Sequence, residues 1–211
     1  HDVVISQLCD EYNLSVAEKA GSLNWHSRCS RLLVANTVGD GNCLAHASSL
    51  QTWGVHDRDG QIRGCIEHTM CTQSPASLEA KQRYFEVVQA DRRAVGLAPL
   101  TPDECEAEWQ GELQVFDPTA LRMRDRYLGA IHVFILANVL RRPIILYGDE
   151  EAVTAGLAGI YLPVLWRDPQ SCSKVPIMML YQKTHFSSLA VEFGQGPVHV
   201  PLAIRSCALP L

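Results

Sequence analysis

Gly39-Asp40-Gly41-Asn42-Cys43-Leu44 sets a cysteine directly after a glycine-rich turn and directly before a stretch, Cys43 to Trp53, that reads as a helix. A thiol at a helix N-terminus lies among backbone N–H groups that have no intrahelical partner, at the positive end of the helix dipole. Both favour the thiolate, which is the nucleophilic form. The same turn offers the backbone N–H groups of Asp40, Gly41 and Cys43 to a developing oxyanion. This stretch therefore describes a nucleophile and the means to stabilise its tetrahedral adduct.

Such a cysteine needs a base. The chain offers 8 histidines. His185 stands out: Ile177 to Tyr181 reads as an apolar strand, Gln182-Lys183-Thr184 as a tight connection, and His185 opens a second strand ending near Phe193. A hairpin rim lets a side chain face a cleft while its backbone stays fixed, and imidazole can take a thiol proton and return it to a leaving amine. His46, one turn beyond Cys43, reads as a packed or hydrogen-bonded helix residue. His132 reads as structural, and His56, His68 and His199 as surface residues. A third group normally fixes the tautomer of such an imidazole. Ser187 would point the same way as His185 along a strand but orients weakly, and the residues alone place no third member.

Outward from these segments, residues 4–20 read as a helix and 31–35 as a short approach to the glycine turn. Gly54 to Gly60 is a polar loop, followed by a helix over Gln61 to Cys71. Ser74-Pro75 and Thr101-Pro102 each start a helix with a capping hydroxyl and a proline in the first turn. Thr101 and Glu104 form a capping box. These two helices run to about Val95 and Val115. His132 to Arg141 is apolar on nearly every face and is a buried helix that Pro143 stops. Ile144 to Tyr147 is a buried strand, and Asp149 to Gly159 a loop. Trp53 and Trp109 are expected in the core. The sum is a small sheet with helices around it, an α+β or α/β sandwich.

Composition bounds the rest. The 211 residues are 47% apolar with net charge −5, which suits one domain with a full core. No run of Lys or Arg supports nucleic-acid binding, and no apolar stretch is long enough to span a bilayer. Cysteines at 9, 29, 43, 65, 71, 105, 172 and 207 form no C-x-x-C pair. A structural zinc site is not expected, and free thiols in a reducing cytosolic or nuclear compartment are. The chain begins with His and reads as a domain cut from something longer.

Gly39 to Ala47 resembles the nucleophile motif of the ovarian-tumour (OTU) domain cysteine proteases, which are deubiquitinases. Trp53 to Asp59, His132 to Ile145, Gly159 to Pro163 and His185 to Leu189 look like the Cezanne and Trabid branch of that family. The resemblance covers roughly residues 10 to 202. It implies a papain-like α+β fold with a small, mostly antiparallel sheet sandwiched by helices, and a single OTU catalytic domain over 1–211. It implies Cys43 as nucleophile, His185 as base and no cofactor. Leu8-Cys9-Asp10 and Leu23-Asn24-Trp25 look like the branch's upstream region, so Asp10 matches the acidic residue that orients the histidine. In many other members that residue lies two places after the histidine, where this chain has Ser187. The implied partners are ubiquitin and polyubiquitin chains, engaged by a monomer. Asp57, Asp59 and Asp149 to Glu151 are candidates to meet the arginines of the ubiquitin tail, and the helices between 75 and 115 to meet its apolar patch. The loops before His132 and over 149–158 are short, which leaves linkage preference open. The competing readings are a catalytically inactive ubiquitin-binding module, a protease for another ubiquitin-like modifier, and a general papain-like endopeptidase.

Overall fold

A computed structural model describes residues 9–117, 119 and 127–192. The start of the first expected helix, Phe193, His199 and Cys207 lie outside the described residues, as does part of the loop before His132. In chain order the elements are α1 (Glu11–Lys19), β1 (Leu32–Ala35), α2 (Cys43–Trp53), α3 (Gln61–Cys71), α4 (Pro75–Ala94), α5 (Pro102–Leu113), α6 (Ala130–Val139), β2 (Ile144–Gly148), α7 (Glu150–Thr154), β3 (Gly159–Tyr161), β4 (Ile177–Gln182) and β5 (His185–Val191). The five strands form one sheet in the order β1-β5-β4-β2-β3. Only the β2–β4 pair is parallel; the other three are antiparallel. This is the expected α+β sandwich with a mostly antiparallel sheet.

Both faces of the sheet are buried, and period-2 alternation sorts the side chains between them. Ile144, Leu146, Ile177, Met179 and Phe186 join α2, α3 and α6 in the larger core. Ile145, Tyr147, Met178, Leu180 and Leu189 face the smaller one, with Leu14 and Ala17 of α1. This two-sided burial is why β2 and β4 read as unbroken apolar runs. Of the two polar residues buried in α6, His132 and Asn138, the asparagine is hydrogen-bonded through both ends of its amide. Its Nδ2 donates to the Phe134 carbonyl, and its Oδ1 accepts from the Leu165 N–H.

The helix starts follow their caps. The Thr101 hydroxyl and the Glu104 carboxylate close a reciprocal capping box on α5, and Ser74 caps α4. Three sequence expectations need correction, and a fourth gains a secondary structure. Within the described part of the expected 4–20 helix, the helix begins only at Glu11, because Asp10 is its N-cap and Cys9 bridges to Ala35. The approach to the glycine turn is a strand, β1. The Asp149–Gly159 loop contains α7, which the Asp149 side chain caps. Trp53 is 59% exposed, since it ends α2 where Gly54 turns the chain away in the left-handed region, at φ 74°. Trp109 is buried as expected.

Candidate active site

Helix α2 starts at Cys43 as predicted and is fastened across the sheet from its far end. Gln51 Nε2 donates to Ser188 Oγ at 3.1 Å and to the Leu189 carbonyl. The thiol at the near end consequently lies against the start of β5, where the Phe186 N–H points at it together with the amides of Leu44 and of Cys43 itself. His185 is the residue immediately before Phe186. The residue chosen from sequence at 185 thus precedes, in the chain, the one whose amide acts on the Cys43 thiol.

Cys43 is only 7% exposed. Burial pushes its thiol above the ordinary value, and the Asp40 charge adds to this, while the three backbone amides pull the other way. The expected thiolate at rest is therefore corrected: the helix start does favour the anion, but desolvation outweighs it. Burial also lowers the His185 imidazole below its ordinary value, against a hydrogen bond to the Thr37 backbone and the Asp10 charge, which raise it. Burial thus favours the uncharged form of each group, thiol and imidazole.

Thr37 is the contact that sequence reading missed. Continuing the register Leu32↔Val191 to Ala35↔Ser188 by two residues sets Thr37 opposite Phe186. Its hydroxyl donates to the Phe186 carbonyl at 2.5 Å and lies 2.8 Å from His185 Nε2. With its one proton given to the carbonyl, Oγ1 accepts from Nε2–H. The imidazole is therefore the Nε2–H tautomer, and Nδ1 carries the free lone pair. Among the described residues no hydrogen bond joins Cys43 to His185. Asp10 acts on His185 only through space. Both of its oxygens are held by Asn13, at 2.9 Å from the backbone N–H and 2.8 Å from the side-chain amide.

The glycine turn is braced from below. Gly41 is buried with φ +88°, a conformation glycine adopts without strain. Asp40 Oδ1 accepts from the Asn42 N–H at 2.9 Å, and Oδ2 lies 3.2 Å from His46 Nε2. Burial opposes ionisation of Asp40, yet these hydrogen bonds together hold its carboxyl below the usual range. His46 is the packed helix residue expected. His56 departs from expectation: it is half-buried, with its ring edge-on to His46 at 5.2 Å. Asp57 is also corrected. It is 8% exposed, and both oxygens cap α3 at the N–H groups of Gln61 and Ile62. Among the described residues no cluster of three or more His, Cys, Asp or Glu is arranged to hold a metal ion, and the cysteines there are all free.

A profile of the family described as OTU-like cysteine protease matches residues 38–186, well over half of the chain. The chain belongs to that family. The OTU domain is 30% identical to human tumor necrosis factor alpha-induced protein 3 over 97% of this chain and 28% of that protein. It is 30% identical to the ubiquitin thioesterase trabid of Drosophila melanogaster over 80% of this chain and 22% of that protein. The chain thus spans less than a third of the length of these curated relatives. A solved OTU domain in complex with ubiquitin overlaps it with a TM-score of 0.41 at 16% identity, covering 75% of this chain and 69% of the other. No described helix is long and apolar enough to cross a membrane.

Proposed function

We propose that this OTU domain is a deubiquitinase that hydrolyses the isopeptide bond between the C-terminal glycine of ubiquitin and a lysine. Cys43 attacks the glycine carbonyl as His185 Nδ1 takes its proton. The amides of Asp40, Gly41 and Cys43 receive the oxyanion, and His185 protonates the leaving lysine before water releases the acyl-enzyme. Asp10 supports the imidazolium electrostatically. The observation that carries this reading is the contact of Thr37 Oγ1 with His185 Nε2, which commits that nitrogen and leaves Nδ1 for the thiol. The resemblance to a ubiquitin thioesterase supports the choice of substrate. We place the domain in the cytosol or nucleus as a monomer acting on polyubiquitin chains, as part of a longer protein.

For the arginines of the ubiquitin tail, Asp59 and the acidic start of α7 are the remaining candidates now that Asp57 is committed to α3. Tyr181 ties that start to the thiol. Burial raises its hydroxyl above the ordinary value, and the charges of Cys43, Glu151 and Asp149 all act on it. Asp149→Lys is expected to raise KM for ubiquitin substrates about tenfold with little change in kcat. Unchanged KM would remove α7 from the site.

The test of the whole reading uses a fluorogenic amide of ubiquitin and a ubiquitin probe with a reactive C-terminus. The wild type turns over the first and is captured by the second at Cys43. Cys43→Ala loses turnover by on the order of 10⁴-fold or more while still binding ubiquitin. Binding without capture would favour an inactive ubiquitin-binding module. Equal cleavage of unrelated peptides would favour a general endopeptidase.

A further inference from the structure

We propose that Arg63, on α3, is a positioning residue that holds the catalytic turn in its oxyanion-binding orientation. This rests on the acyl-transfer reading above. The peptide between Gly41 and Asn42 immediately precedes the proposed nucleophile. A glycine at φ +88° lets such a peptide plane rotate at little cost. Here the plane is gripped at both ends. Its N–H donates to Asp40 Oδ1 at 2.9 Å, and its carbonyl accepts from Arg63 Nη1 at 3.2 Å. The Asn42 amide proton is thereby used, and Asp40, Gly41 and Cys43 keep the amides that the oxyanion needs.

The same guanidinium reaches two further acceptors. Nη1 lies 3.1 Å from Asn42 Oδ1 and Nη2 2.6 Å from the Val115 carbonyl, with the Phe116 ring 5.5 Å away. Asn42 is the N-cap of α2, yet its side chain makes no capping hydrogen bond. It is turned to Arg63 instead, so the first-turn amides around Cys43 are left uncapped by that side chain. Val115 and Phe116 belong to the short 3₁₀ turn, Gln114–Phe116, that ends α5. One planar fork therefore ties the turn to the helical layer. A lysine ammonium, a point charge on a flexible stem, cannot serve these three acceptors in the same geometry.

Arg63→Lys, which keeps charge and stem, is the decisive variant. Its kcat on the fluorogenic ubiquitin amide is expected to fall roughly ten- to a hundredfold with KM within about twofold. That is less than the ~10²–10³-fold cost of deleting an oxyanion donor outright. Alkylation of Cys43 by iodoacetamide, followed by mass spectrometry of the Cys43 peptide, forms no oxyanion and should proceed at the wild-type rate. Hydrogen exchange at the Asn42 amide should accelerate at least about tenfold, and this readout needs no substrate. Unchanged Asn42 exchange, a raised KM at unchanged kcat, or alkylation slowed in step with kcat would each overturn the role of Arg63. A wild type that exchanges slowly at Asn42 but cleaves no ubiquitin amide would instead overturn the deubiquitinase reading alone.

Discussion

Thr37 carries a single hydroxyl proton, and its destination decides what His185 can do. Because it goes to the Phe186 carbonyl, the imidazole is aimed without a hydrogen bond from a carboxylate. Thr37→Val should cost kcat about tenfold or more by releasing the ring. Burial already sets the imidazole below its ordinary value of 6.5. The acid limb of kcat/KM should therefore fall below that pH in the wild type. It should stay there in Thr37→Val, since the hydrogen bond that raises the group comes from the Thr37 backbone, which valine keeps. A limb that shifts upward would show that His185 is held otherwise. The proposed nucleophile and base, Cys43 and His185, could be chosen from the sequence because each sits beside its own local signal, a glycine turn and a hairpin. Thr37 was not, because its tie to His185 spans 148 positions and exists only through the register of β1 on β5. Trp53 was misread for a related reason: helical spacing shows which residues share a face, not which face is covered.

At the scale of elements, long periodic segments and capped helices could be read within a few residues. The strand β3 and helix α7 could not. With three and five residues, they are too short for a period to register and owe their form to the neighbouring β2. Helix α6 carries a testable cost of its apolar setting. His132 is fully buried, and its Nδ1 accepts from the Gly129 N–H at 2.9 Å. Burial depresses this imidazole from 6.5 to about 4. A depressed folded value means that the group's contribution is complete above pH 6.5 and is lost as pH falls through that value toward 4, by about 3 kcal/mol in all. Urea midpoints measured from pH 7 to 4.5 should drop more steeply in the wild type than in His132→Gln. Parallel slopes would show that α6 is not the acid-sensitive element.

Across the described residues no covalent staple joins the elements. The sheet is buried on both faces, and the cysteines in the described residues are free. Thermal unfolding should therefore be the same with and without reductant; a melting temperature lowered by dithiothreitol would reveal a bridge. The two layers are nevertheless unequal. Cys43 is sunk in the larger core, and β5 runs inside the sheet between β1 and β4. Thr37 and Asp10 instead hang from the sheet margin, where β1 is met on its outer side, among the described residues, by the isolated Cys9–Ala35 bridge. Margins fray before interiors do. The reacting pair should thus outlast the groups that aim it. Gentle urea titration should extinguish turnover while Trp109 fluorescence still reports an intact interior, so the enzyme falls silent before it melts.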